Sequence, residues 1–235
     1  MKLVFSTLVF TVAALVAALA PLTATAGTVN ISSPFGAFNL QTKSLQEMRW
    51  DSVIRQKYDF SCGSAAVATL LTYHYNLPTD EEDVFQAMIK VGDRAKIQKD
   101  GFSMLDMKRY LDNRGFRSDG FKMSLDKLMK IGMPGITLIN TQGYLHFVVV
   151  KGLDENHVLI ADPAVGSVVV PRAHFETIWN GSILGARSHV NIARENFNSD
   201  RDWRIRPQSP IEQGVSRAGI GPMLLSLPGR NELGK

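Results

Sequence analysis

The sequence predicts an α+β fold, with N-terminal helices packed on a C-terminal antiparallel β-sheet. Three observations predict it. Helix-start residues open a series of apolar segments in the first half of residues 51–190. Short β-branched runs divided by turn residues fill the second half. The 235 residues, 45% hydrophobic and 20% charged, are enough for one domain with its own core.

The elements follow in chain order. Ala65 to Leu71 is a compact run of helix formers led by Ser61-Cys62-Gly63-Ser64. Thr79-Asp80-Glu81-Glu82 reads as a capping box opening a second helix. Ser103 caps a third, with Gly115 as its stop, and Ser124 caps a short fourth ending near Gly132. Strands are then expected at Ile136 to Asn140, His146 to Lys151, His157 to Ala161 and Ser167 to Val170. A last helix is expected from Pro171 to Trp179. Sheets that follow helices, rather than alternate with them, define the α+β class.

The flanks read differently. Residues 1–26 look like a secretory signal peptide: Lys2, an apolar stretch from Leu3 to Leu19, and the small-residue site Ala24-Thr25-Ala26. A periplasmic location and no stable membrane insertion of the mature chain are expected from it. Residues 27–47 read as an N-terminal arm with a short helix around Thr42 to Met48, 48–193 as the domain, and 194–235 as an irregular tail. The formal charge of +4 comes without a basic run, so nucleic acid is not an expected partner.

Cys62 is the only cysteine. An exported chain meets an oxidising compartment, where one cysteine has no internal partner. Either it is a buried small hydrophobe or its chemistry is used. Its place at a helix N-terminus favours the second reading, because unpaired N–H groups and the helix dipole stabilise a thiolate. Gly63 and Ser64 add no bulk beside it.

A thiolate nucleophile needs a base. His74 lies along the same helix, about 18 Å away at 1.5 Å per residue. His174 and His189 read as surface or packing residues. His146 and His157 flank one hairpin. With its turn centred on Asp154, Val150 faces Val158, Phe147 faces Ala161 and His146 faces Asp162. Opposed Cβ atoms lie about 4.5–5.5 Å apart, so an acid would steady the His146 ring. Alone, Asp162 before Pro163 is an ordinary turn starter. His157, at the turn end, has no such partner. Gln56, six residues before Cys62, can fold back and with the Cys62 N–H form an oxyanion site; singly it would be a solvated side chain. His, Cys and acidic residues nowhere fall at metal-ligand spacing, and no cofactor is expected.

Gln56, Cys62-Gly63, Leu145-His146-Phe147-Val148-Val149 and Ile160-Ala161-Asp162-Pro163-Ala164, in that order, resemble the peptidase C39 family over roughly residues 48–190. The resemblance implies a papain-like cysteine peptidase fold, with Cys62 as nucleophile, His146 as base, Asp162 as orienting carboxylate and Gln56 as oxyanion donor. Many members are transporter domains that cut leader peptides after a double glycine. This chain has no G-x-x-x-x-G-K-[ST] motif and carries an export signal, so it resembles a stand-alone exported branch. That branch implies a protein or peptide substrate, such as a secreted amyloid-type subunit or a secretion component. Two other readings stay open: a non-catalytic periplasmic chaperone, and a cell-wall amidase or transpeptidase.

Overall fold

The computed structural model describes residues 28–33 and 36–206. The expected signal segment and residues 207–235 lie outside the described residues. The chain divides into two compact units, residues 1–44 and 45–235. In the first, β1 (Thr28–Ser33) and β2 (Gly36–Gln41) pair antiparallel, Thr28 opposite Gln41 and Ser33 opposite Gly36. The arm was not expected to contain strands.

The second unit opens with α1 (Leu45–Met48), as expected. Its helical layer follows: α2 (Cys62–Thr69), continued by a π-helical turn at Leu70–His74, then α3 (Glu81–Val91), α4 (Arg94–Asp100) and α5 (Met104–Asn113). Every residue of α2 is buried, and its run of small side chains lets it pack on both the other helices and the sheet. Ser103 forms the expected cap of α5, completed by Asp106 as a capping box. The cap of α3 differs from the expected box. Asp80 accepts from Glu82 N, while the Thr79 hydroxyl donates to Leu77 O. Helix α4 was missed, although Asp93 caps it through Ala95 and Lys96 N–H groups.

The sheet has six strands: β3 (Ser118–Lys122), β4 (Gly135–Thr141), β5 (Tyr144–Leu153), β6 (His157–Asp162), β7 (Gly166–Pro171) and β8 (Trp179–Ala186), in the order β3-β8-β4-β5-β6-β7. All its pairings are antiparallel. Strands β4 to β7 stand where the sequence puts them; β3 and β8 were not foreseen. Helix α6 (Leu125–Ile131) starts at its Ser124 cap and stops at Gly132, whose φ of 63° suits glycine. Helix α7 (Arg172–Ile178) occupies the expected place.

The sheet separates two apolar clusters. Phe147, Val149 and Ala161 join the cluster containing Cys62, Ala66 and Leu70. Val148, Val150, Ile160 and Phe175 belong to the other. This alternation along β5 is the period-2 rule of strands.

Two expectations need correction. The β5–β6 register is shifted: Val150 faces Ile160, and Val149, not Phe147, faces Ala161. Asp162 therefore does not sit directly opposite His146. The turn is centred later than Asp154, because Asp154 Oδ1 accepts from both Asn156 N and His157 N. Lys151 also forms a bulge, with Gly152 facing Leu159 beyond it. The second correction concerns the tail. Residues 194–206 fold onto the domain through the end of α8 (Val190–Glu195) and through α9 (Asp200–Trp203), which buries Asp202. Among the described residues, no helix is long and apolar enough to cross a membrane.

Candidate active site

The N-terminus of α2 presents Cys62. Its N-cap, Ser61, makes no side-chain cap bond. The Ser61 hydroxyl instead accepts from Tyr58 N and donates to Tyr58 O. The first-turn N–H groups, which have no intrahelical acceptor, are thus left beside the sulfur. Gly63 allows close packing here, since a Cβ at that position would lie 3.0 Å from Phe102 Cβ. Cys62 is 7% exposed and lines a cleft of about 660 Å³. Phe60, Phe102, Leu138 and Phe147 make the cleft largely apolar, with Asp59 and Asp100 among its polar residues.

His146 comes from the start of β5. Its Nε2 lies 2.7 Å from Asp162 Oδ1. The same oxygen accepts from Ala164 N at 2.8 Å, which fixes the carboxylate at the Pro163 turn. Continuing the β5–β6 register by one place sets Asp162 opposite Val148. His146 and Asp162 are thus diagonal neighbours on one face, within reach of a long side chain. The acid-imidazole meeting was expected; its diagonal geometry was not.

Burial pulls the His146 pKa down, but the hydrogen bond to Asp162 and the proximity of Cys62 outweigh it and raise it to about 9. The sulfur is close enough to act on the ring, yet Nδ1 is buried with no hydrogen-bond partner. With Nε2 committed to the acid, Nδ1 is the nitrogen left for the thiol. Such bonds are often open before substrate binds.

Gln56 is tied to the same corner by its backbone, whose N–H donates to Pro163 O at 3.0 Å. Its Nε2 donates to Tyr58 O at 3.1 Å, so the amide orientation is fixed, because two facing oxygens could not bond. One Nε2 hydrogen remains, and Oε1 is buried without a partner. His157 sits at the β5–β6 turn with Asp154 and Arg206. His174 is exposed on α7. His189 is exposed and packs against Phe116. His74 is buried, its Nδ1 3.2 Å from Asn196 O.

Sequence reasoning missed Tyr144. Its ring stacks on His146, with centroids 5.7 Å apart and planes at 27°. Gln142 and Gly143, at φ 53° and 91°, form the tight turn that delivers it. The Gln-Gly pair between two apolar runs was the available signal. Among the described residues, no group of three or more His, Cys, Asp or Glu could hold a metal ion.

A buried thiol at a helix N-terminus, an acid-paired imidazole beside it and an adjoining cleft are the equipment of a cysteine peptidase. The family model for the peptidase C39 family matches residues 51–191, and the chain belongs to that family. It is 41% identical over 161 residues to "Probable functional amyloid protease FapD" of Pseudomonas fluorescens, covering 68% of this chain and 71% of the relative. A protein with the same name from Pseudomonas aeruginosa PAO1 is 39% identical over 144 residues, covering 61% and 64%. A solved double-glycine-motif protease from an AMS/PCAT transporter, in complex with the leader peptide, is 30% identical, with a TM-score of 0.48. That match covers 57% of this chain and 89% of the other.

Proposed function

We propose that this chain is an exported, periplasmic endopeptidase that cuts a secreted protein through a thioester on Cys62, in the maturation or secretion of an extracellular fibre. The observation that carries the reading is the Asp162–His146 bond with the other ring nitrogen left for Cys62. The likeness to the two FapD relatives supports the fibre-related substrate. The apparent signal segment of the sequence supports export.

The steps follow from the positions. The thiolate is the nucleophile, and a protonated His146 supplies its counter-charge. Sulfur attacks the peptide carbonyl carbon. The oxygen takes up negative charge between the Cys62 N–H and the spare Gln56 N–H, a kind of stabilisation worth about 2.7–4 kcal/mol per donor. Collapse breaks the C–N bond, and His146 gives its proton to the leaving amine. Neutral His146 then takes a proton from water, which attacks the thioester and frees the acid product. Asp162 holds the ring and stabilises its charged form throughout.

The test is to express the chain together with its candidate secreted substrate and follow cleavage by mass spectrometry. Cys62→Ala and His146→Ala should each abolish cleavage while near-UV circular dichroism shows each variant folded. Cleavage by Cys62→Ala at the parental rate refutes the proposal. A trapped acyl fragment on Cys62 identifies the cut bond.

A further inference from the structure

The family match ends at residue 191, but the fold does not. Residues 196–206 form a strap across the end of β5. Strand β4 begins at Gly135, opposite Val150, so the β5 edge beyond Val150 has no β4 residue to bond. Asn198 takes that place. Its N–H donates to Lys151 O, its Oδ1 accepts from Leu153 N, and its Nδ2 donates to Leu153 O. Asn198 holds a φ of 58° to do so. A Cβ on Gly152 would run into the Asn198 side chain and lie 3.1 Å from its Cα, so glycine is what lets the strap close.

The side chain of Lys151 is gripped from the same direction. It is 0% exposed. Its Nζ lies 3.1 Å from Asp202 Oδ1 and also donates to Ser52 and Ser167. Ser52 in turn donates to Asp202 at 2.6 Å. Removing one partner of a buried charge leaves the other uncompensated and is strongly destabilising, so strap and bulge hold each other.

Lys151 is the extra residue of the β5–β6 ladder. Were Lys151 paired in the ladder instead of bulged, the Leu153–Val158 and Gly152–Leu159 register would continue unshifted and bring Asp162 opposite Val149. Val149 points to the face away from His146, because a slip of one residue exchanges the faces of a strand. With the bulge, Asp162 falls opposite Val148 and on the His146 face. We infer that the Lys151 bulge, locked by Asn198 and Asp202 of the strap, puts His146 on the face of the sheet that Asp162 occupies, making these three positioning residues for the His146–Asp162 pair. This rests on the peptidase reading above.

The test uses the full chain with Gly152→Ala, Asn198→Ala and Asp202→Asn. Trypsin cleavage at Arg201 and Arg204 reports release of the strap. The iodoacetamide reaction of Cys62 and the NMR titration of the His146 ring report the site, at a temperature where near-UV circular dichroism shows the variant folded. Release of the strap should slow alkylation at pH 7 by at least about tenfold, since misplacement near 1 Å can cost on the order of a hundredfold, and should move the His146 titration downward. A strap that is released while alkylation and titration stay parental overturns the inference, as does a strap that stays protected in all three variants. His146→Ala separates the two readings. If it leaves parental alkylation unchanged, the peptidase reading fails; if it slows alkylation but strap release does not, only the positioning role fails.

Discussion

Replacing Asp162 by alanine gives the sharpest view of the site's electrostatics. The rise of His146 from 6.5 to about 9 corresponds to about 3 kcal/mol favouring the imidazolium, at 1.36 kcal/mol per pH unit. That preference is a balance, with burial opposing it and Asp162 and Cys62 favouring it. In Asp162→Ala, burial is opposed by Cys62 alone, so His146 should titrate at least a pH unit lower. The ring C–H signals of His146 in NMR, followed from pH 5 to 10, measure this. Stability gives a second readout. A group whose folded-state pKa is raised stabilises the fold fully below its unfolded value and loses that contribution as pH rises through the folded value. The parent's advantage over Asp162→Ala in urea melts should therefore be greatest below pH 6.5 and shrink toward pH 9. A His146 that still titrates near 9 in Asp162→Ala refutes the assignment of Asp162 as the main support.

Other outcomes follow from single features. His74 is pushed down to about 4, chiefly by burial and then by Lys151. The unfolded chain therefore binds the extra proton, and stability should fall as pH drops from 6.5 toward 4, with a flatter profile in His74→Gln by differential scanning calorimetry. Gly166 holds a φ of 89°, and a Cβ there would lie 2.9 Å from Arg49 Cβ and O. Gly166→Ala should cost on the order of 1–3 kcal/mol in chemical denaturation. Tyr144→Ala should lose about 0.5–1.5 kcal/mol of ring packing on His146, while Tyr144→Phe melts as the parent does.

The helices and strands that announce themselves by local chemistry were legible. Ser103 and Ser124 cap the helices expected of them, and β4 to β7 lie in runs of β-branched residues bounded by turns. The missed strands β3 (Ser-Asp-Gly-Phe-Lys) and β8 (Trp-Asn-Gly-Ser-Ile-Leu-Gly-Ala) are rich in glycine and polar residues. Pairing with each other and with β4 makes them strands, and no window of their own sequence encodes that. The Cys62, His146 and Asp162 neighbourhood was legible because few histidines could reach the thiol. The register was not. Counting from an assumed turn centre ignores the Asp154 side-chain bonds to Asn156 and His157 and the Lys151 bulge, whose partners Ser52, Asn198 and Asp202 lie far away in the chain. The packing of residues 194–206 was equally hidden, since Asn198 and Asp202 look like ordinary solvated residues until Gly152 and Lys151 are found beneath them.

The shallow exposure of Cys62 has a consequence for survival of the protein under oxidative stress. Its sulfur has no second thiol in the chain to form a disulfide with, and a sulfenic acid left waiting advances to sulfinic and sulfonic forms that are not recovered. With 7% of the residue open to solvent, in a cleft lined by Phe60, Tyr144 and Phe102, a peroxide reaches the sulfur through the cleft that would take the substrate. A bound substrate should therefore act as a chemical shield, and the protein should be most perishable when it is idle.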